Sequence, residues 1–284
     1  MNMHRALTPA DNTITVRDLR FNREPAKHPR WWHGGDPVPT AFFNALSCTF
    51  PAGEKFFMDS VRAYRREVGP ALQAQIKGFL AQEAVHSREH AAFNQLAADS
   101  GYDVERLERR TKGVLDFARK RSKARQLAAT CALEHFTAIL AHELLAGDSA
   151  DMAAAPADTE RLWSWHAIEE IEHKAVAYDT FLAVTADMTR LRRYVMRCFA
   201  MILATVILFT TIRASMADLY RADGLKGPRI WGRTIAYLFG RGGILRRILP
   251  AWLTYFRPGF HPWQHDDRDV LARAQARLGL EAAA

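Results

Sequence analysis

Four glutamates and three histidines in this chain recur at intervals that suit metal binding. In "QEAVHSREH", residues 82–90, Glu83 and His86 stand three apart, and in "WHAIEEIEH", residues 165–173, Glu170 and His173 repeat that interval. Both pairs continue apolar stripes of helical period. Ile76, Phe79 and Leu80 lead into Glu83, while Leu162 and Ala177 extend the face that carries His166, Glu170 and His173. Glu54 is in step with Phe57, Met58 and Val61, and Glu134 with Leu127, Cys131, Ala138 and Ala141. Four helices therefore each turn a glutamate toward their apolar side. A buried carboxylate without a partner is costly and usually takes up a proton. Lys and Arg are largely missing from these stripes, so a pair of divalent metal ions is the economical compensation. The order is E…ExxH…E…ExxH, in which i and i+3 lie one turn apart, so that a histidine and a glutamate share one metal while the glutamate reaches a second. A single ExxH says little; two on apolar stripes, each preceded by a further glutamate, say much more. The competing reading has the four glutamates facing solvent or pairing with Arg62, Arg65 or Arg88.

The elements that must position these residues read as helix. Residues 1–36 look irregular, and Asp36–Pro37 is a helix start or turn. Helical patterns follow over 51–66, 70–100, 103–120 and 123–146, then over 159–184 with Thr159 as cap, and over 187–221. This divides the protein into an irregular segment 1–36, a helical bundle 37–222 that includes a long apolar helix, and a basic, aromatic C-terminal cap 223–284 with short helices and a final polar helix from Asp267. The expected class is all-α.

The chain has 284 residues, 49% hydrophobic and 25% charged, which suits a globular protein with a sizeable core and excludes a disordered one. The net charge of +8 gathers between Arg190 and Arg257. Cys48, Cys131 and Cys198 are odd in number and widely spaced, without a CxxC. They read as buried thiols in a reducing cytoplasm rather than as disulfides or a thiolate zinc site. The N-terminus has no apolar signal region.

Residues 37–185 resemble a ferritin-like di-metal carboxylate bundle, a four-helix arrangement to which the C-terminal helices are added. The whole chain resembles a bacterial family of predicted metal-dependent hydrolases within the ferritin-like group. The matching pieces are "PAGEKFF" with Glu54, "QEAVH" with Glu83 and His86, "LEHFTA" with Glu134, and "HAIEEIEH" with Glu170 and His173. His166, four residues before Glu170, gives H-x3-E-x2-H, similar to di-iron arylamine N-oxygenases. That resemblance implies His166 as a further metal ligand; a core or supporting role is the alternative. Glu169 stands where ferritin-like enzymes place an acid that orients a histidine on the facing helix. His90, His135 and Asp179 are further supporting candidates. Glu89, Glu143 and Glu172 fall off the inward stripes and are expected in solvent.

The resemblance implies two metals per chain, iron first, with manganese or a mixed iron–manganese pair as alternatives. The expected activity is O2-dependent hydroxylation, desaturation or N-oxygenation of a small hydrophobic or aromatic substrate. No flavin or nicotinamide motif appears, so electrons would come from an external donor. The alternatives are a two-metal hydrolase, as the family description suggests, and a non-catalytic, membrane-associated metal-binding protein. Trp31–Trp32 and Trp163–Trp165 suit a pocket wall or core packing.

"CFAMILATVILFTTI", residues 198–212, carries no charge. As a helix it measures about 22 Å, short of the roughly 20 residues a bilayer core requires. A buried or interfacial helix is expected, with a membrane span or a docking surface for another chain as the alternatives. The Arg- and aromatic-rich segment after it suits a cap over the bundle or a peripheral contact with a membrane. The cellular expectation is therefore cytoplasmic, with contact at the inner membrane face. No nucleic-acid motif appears, and a homodimer is expected. His261, His265, Asp266 and Asp267 form a weak candidate for a second metal site.

Overall fold

Asp36 begins the first helix by accepting a hydrogen bond from the Val38 amide at 2.8 Å, with Pro37 in the first turn, where its missing N–H costs nothing. The two residues before it, Gly34 and Gly35, have φ of 61° and 74°, the left-handed region that glycine enters without a Cβ penalty. The computed structural model describes residues 8–9, 12–21, 28–147 and 150–281. The rest of the 1–36 segment, residues 1–7, 10–11 and 22–27, lies outside the described residues.

Among the described residues the helices are α1 (Pro37–Ser47), α2 (Phe50–Arg62), α3 (Pro70–Asp99), α4 (Val104–Arg119), α5 (Lys123–Ala146) and α6 (Ala157–His173). They continue as α7 (Val176–Val184), α8 (Arg190–Ala222), α9 (Pro228–Phe239), α10 (Ile244–Thr254) and α11 (Arg268–Leu278). No strand occurs among the described residues, and the fold is all-α. Several starts have a local cause. Pro70 opens α3, Asp103 accepts from the Arg106 amide at 3.0 Å to cap α4, and Thr189 accepts from the Arg192 amide at 3.2 Å to cap α8.

Two sequence readings change. The helix expected over 159–184 starts earlier, at Ala157, so Thr159 lies inside it rather than capping it. It is also interrupted between His173 and Val176. Lys174 and Ala175 keep right-handed dihedrals, so the break is a loosened turn with no Pro or Gly to announce it. In addition, the first bundle helix ends at Arg62, and a separate turn at Arg65–Glu67 follows it.

Four of the helices carry the inward glutamates, and α8 packs along α5 beside them. α2 lies along α3 and α5 along α6, while α2 also meets α5 and α3 meets α6. α1 closes one side against α3 and α8, and α10 and α11 cover α5. Cys48 and Cys131 are buried; Cys198 is only half-buried, and all three are free. The long helix α8 is long and apolar enough to cross a membrane by length and composition. One face packs on the bundle through Ala200, Met201 and Ala204. The other is open: Leu191, Val195 and Phe199 are 71%, 54% and 65% exposed.

The N-terminal segment 12–21 is an extended strap laid across α3 and α6. It carries Arg17, whose guanidinium reaches Glu172 at 2.7 Å and Glu169 at 3.3 Å. Its close approach explains Gly78, a residue that would otherwise weaken the middle of α3. A Cβ built at Gly78 would lie 2.8 Å from Ile14 Cγ2. Gly78→Val is therefore expected to lift the strap and to cost about 1–3 kcal/mol in denaturant unfolding. Unchanged stability would mean that the strap is not seated there.

Candidate metal centre

α2 supplies Glu54, α3 supplies Glu83 and His86, α5 supplies Glu134, and α6 supplies His166, Glu170 and His173. All seven are 3% exposed or less. Ligand atoms of Glu54, His86 and His166 fall within 4.8 Å of one another, as do those of Glu83, Glu134, Glu170 and His173. Glu170 joins the two groups. Its Oε1 lies 2.7 Å from His166 Nε2 and 3.5 Å from His86 Nδ1, and its Oε2 lies 3.5 Å from His173 Nε2. His173 Nε2 is also 3.2 Å from Glu83 and 3.6 Å from Glu134. Among the described residues none of the four glutamates pairs with Arg62, Arg65 or Arg88. Arg62 turns to Asp59, and Arg88 to Glu89 and Asp18.

The imidazoles are held with one nitrogen facing inward. His86 donates from Nε2 to Glu169 at 3.0 Å, and Glu169 is steadied in turn by Trp165 Nε1 at 2.9 Å and by Arg17. His173 donates from Nδ1 to Gln82 Oε1 at 2.9 Å. The Gln82 amide is fixed because its nitrogen donates to Glu172 and to the Thr15 carbonyl. For His166 a relay of four groups sets the tautomer. Asn94 Nδ2 donates to Glu108, so Asn94 Oδ1 accepts from the Ser47 hydroxyl at 2.6 Å. Ser47 then accepts from His90 Nδ1 at 2.9 Å, which leaves His90 Nε2 to accept from His166 Nδ1 at 2.6 Å. Each inward nitrogen, His86 Nδ1, His166 Nε2 and His173 Nε2, thus faces the carboxylates. Fixing the outer nitrogen in this way is how proteins orient metal-binding histidines.

The residues present fit metal ions. Glu54 Oε1, both oxygens of Glu83 and of Glu134, Glu170 Oε2, His86 Nδ1 and His173 Nε2 are buried without a hydrogen-bond partner. Buried polar atoms are rarely left so, and here they share one small volume. Burial, reinforced by Glu83, holds Glu54 and Glu134 well above the usual carboxylate range, and burial raises Glu83 too. Burial would also raise Glu170, but His173, His166 and His86 outweigh it and keep it well below. Burial alone would lower His86; its bond to Glu169 and the nearby carboxylate of Glu170 push it up to about 10 instead. Burial and the neighbouring His86 lower His166 to about 4. Without metal, protons supply the missing positive charge. Two divalent cations would balance four carboxylates and let the imidazoles be neutral. Either group of ligands offers the nitrogen and oxygen donors that iron, manganese or zinc accept.

The supporting candidates separate clearly. Glu169 and His90 contact the cluster as described. His135 instead points to α10, its Nε2 3.2 Å from the Ala251 carbonyl, and Asp179 is bound to Thr8 and His261; neither reaches the centre. Glu172 and Glu89, expected in solvent, are buried. Glu172 accepts from Arg17, Gln82, Gln275 and the Thr15 amide, and Glu89 from Arg88 and the Phe21 amide. Glu143 is half-buried against Arg247. His142, His265 and Asp267 also converge, but the buried Lys174 ammonium already pairs with Asp267 and leaves a cation little reason to enter. Arg17, Gln82 and Ser47 were not singled out from sequence. Arg17 and Gln82 lie about ninety residues or more from their partners in α6, and no local pattern links them.

An all-helical protein with buried carboxylate and imidazole groups suited to metal is the class that fold and centre define. The chain belongs to the family described as predicted metal-dependent hydrolase, which matches residues 15–266. No curated protein and no solved structure matches it.

The raised carboxylates carry a pH consequence. Glu54, Glu83 and Glu134 hold protons above their ordinary value of 4.5, and His86 holds one up to about 10. Metal must displace those protons, so affinity rises with pH. Calorimetry of metal uptake in buffers of different ionisation enthalpy is expected to show net proton release at neutral pH and weaker binding in mild acid. Uptake without proton release would contradict the assignment of these groups.

Proposed function

We propose that this protein is a ferritin-like di-iron oxidoreductase that uses O2 to hydroxylate, desaturate or N-oxygenate a hydrophobic or aromatic substrate. Glu54, His86 and His166 would hold one metal, Glu83, Glu134 and His173 the other, and Glu170 would span both. Iron is the first expectation, with manganese or a mixed pair as alternatives. The observation that carries this reading is the placement of the centre: His166 and Glu170 form part of the wall of an apolar cavity of about 1320 Å³.

When bound, a reduced metal pair supplies the redox chemistry, replenished by an external electron donor. The protein's own residues do the rest. Glu169 and Arg17 hold His86, Gln82 holds His173, and the Ser47–His90 relay holds His166 in the tautomer that directs Nε2 inward. Glu83 and Glu134 have no other hydrogen bond on either oxygen. No protein donor therefore fixes either carboxylate, and both would be available to hold metal. Phe50 and Trp163 pack against His166 and His90 and keep water from that side. The open apolar face of α8, begun by Arg190, Arg192 and Arg193, suits a peripheral contact with an anionic bilayer surface.

The family description favours a second reading, two-metal hydrolysis, in which the paired ions activate water. Single-turnover O2 uptake separates the two. Ferrous-loaded protein is expected to consume O2 in proportion to its iron, and Glu169→Gln to weaken metal retention about 10–100-fold. Zinc-loaded protein that cleaves esters or amides without oxygen, beside ferrous protein inert to O2, would favour hydrolysis.

A further inference from the structure

We infer that the cavity beside the centre binds a carboxylate with a long alkyl tail, its head at Arg121, Arg125 and Arg192 and its tail running inward to His166 and Glu170. The substrate class follows from the shape and charge of the walls. The buried part of the wall includes Phe43, Phe50 and Trp163, together with the two centre residues. Phe57, Leu115, Leu133, Phe136, Leu140 and Leu208, from α2, α4, α5 and α8, add further apolar lining. The lining also includes Arg121 just after α4, Arg125 in the first turn of α5 and Arg192 in the first turn of α8, and all three are exposed. At about 1320 Å³ the cavity exceeds the roughly 300–1,000 Å³ usual for compact ligands and suits an extended one.

Charge selects the head group. Among the described residues, none of these three guanidiniums pairs with a carboxylate, whereas Arg106, Arg110, Arg119 and Arg247 nearby or elsewhere do. Arg121 rests over the Phe117 ring instead, 4.2 Å from its centroid. Among the described residues, the one acidic residue in the lining is Glu170, which is buried, whereas the three arginines are exposed. An anion is therefore favoured at the mouth and a cation is not. Leu191, Val195 and Phe199 stand exposed beside Arg192 and give an apolar approach for the tail.

This inference rests on the proposed oxidase reading for its chemistry. Held tail-inward, the substrate presents carbons remote from its carboxylate to the centre. One oxygen atom of O2 would enter an alkyl C–H bond and the other leave as water, with two electrons from the external reductant and two protons. Binding itself requires no metal, so it is tested separately.

The test is calorimetry on the metal-free full-length protein with saturated carboxylates from octanoate to tetradecanoate, and with alkyltrimethylammonium ions of matching length, all below micelle formation. Each added methylene is expected to tighten binding about fourfold until the cavity is filled. The carboxylate is expected to win over the ammonium by about tenfold. The triple variant Arg121→Gln/Arg125→Gln/Arg192→Gln should lose that preference and keep the length dependence. Dodecanoate brominated at its far end should quench tryptophan emission more than the 2-bromo isomer, and the difference should vanish in Trp163→Phe. Binding that ignores alkyl length, ammonium equal to carboxylate, or stronger quenching by the 2-bromo isomer would overturn the inference. Because no metal is present, such a failure leaves the oxidase reading standing; absent O2 uptake with normal carboxylate binding would reject that reading alone.

Discussion

The burial of Glu54, Glu83, Glu134 and Glu170 in one small volume is the constraint on which the rest of the molecule depends. Like charges so placed cannot all ionise without positive charge beside them. The four helices deliver no arginine or lysine to the spot. They deliver three imidazoles whose outer nitrogens are already engaged, and a set of oxygen atoms with nothing to accept from. Structure of this kind is stable with protons and better balanced with divalent cations. Folding and metal uptake are coupled in such a centre, since cations that bind only the folded state add to its stability.

The surrounding residues make sense from that requirement. Arg17 sits against Glu169 and Glu172, outside the ligand ring, so that its charge steadies the carboxylates that hold histidines without occupying the metal positions. The strap that carries it passes over Gly78, where no side chain stands in its way. On the opposite side the wall is apolar, and it leads away between α2, α4, α5 and α8. The centre thus has polar support on one side and an apolar wall on the other, as the proposed oxidation of a hydrophobic substrate would require.

The clustering of these carboxylates and imidazoles was legible because helical geometry is strict. Glu83 and His86, or Glu170 and His173, one turn apart on an apolar stripe must face the same side of their helix, although Glu83 and His86 fall in different groups rather than sharing one. His166 was legible for the same reason, at i−4 from Glu170. Periodicity reports an angle around a helix, though not how far round the burial extends. Glu172 and Glu89 lie off the inward stripe and are nonetheless buried, because the N-terminal strap covers the face they occupy. The strap itself has no period, so Arg17 could not be placed from sequence. The turn at Lys174–Ala175 was equally hidden, since neither residue breaks helices. His135 was misplaced because it follows Glu134 and turns about 100° away from it, toward α10, and Asp179 because it lies on α7, beyond the break at Lys174–Ala175, where it meets Thr8 and His261.

The most direct test is the metal content of the intact protein, measured by elemental analysis after anaerobic ferrous loading and removal of loose ions. The account predicts two irons per molecule for the native sequence, and loss of both in the paired variant Glu83→Ala/Glu170→Ala while helical content is retained. A native protein that folds but holds no stoichiometric metal, with iron, manganese or zinc alike, would contradict it.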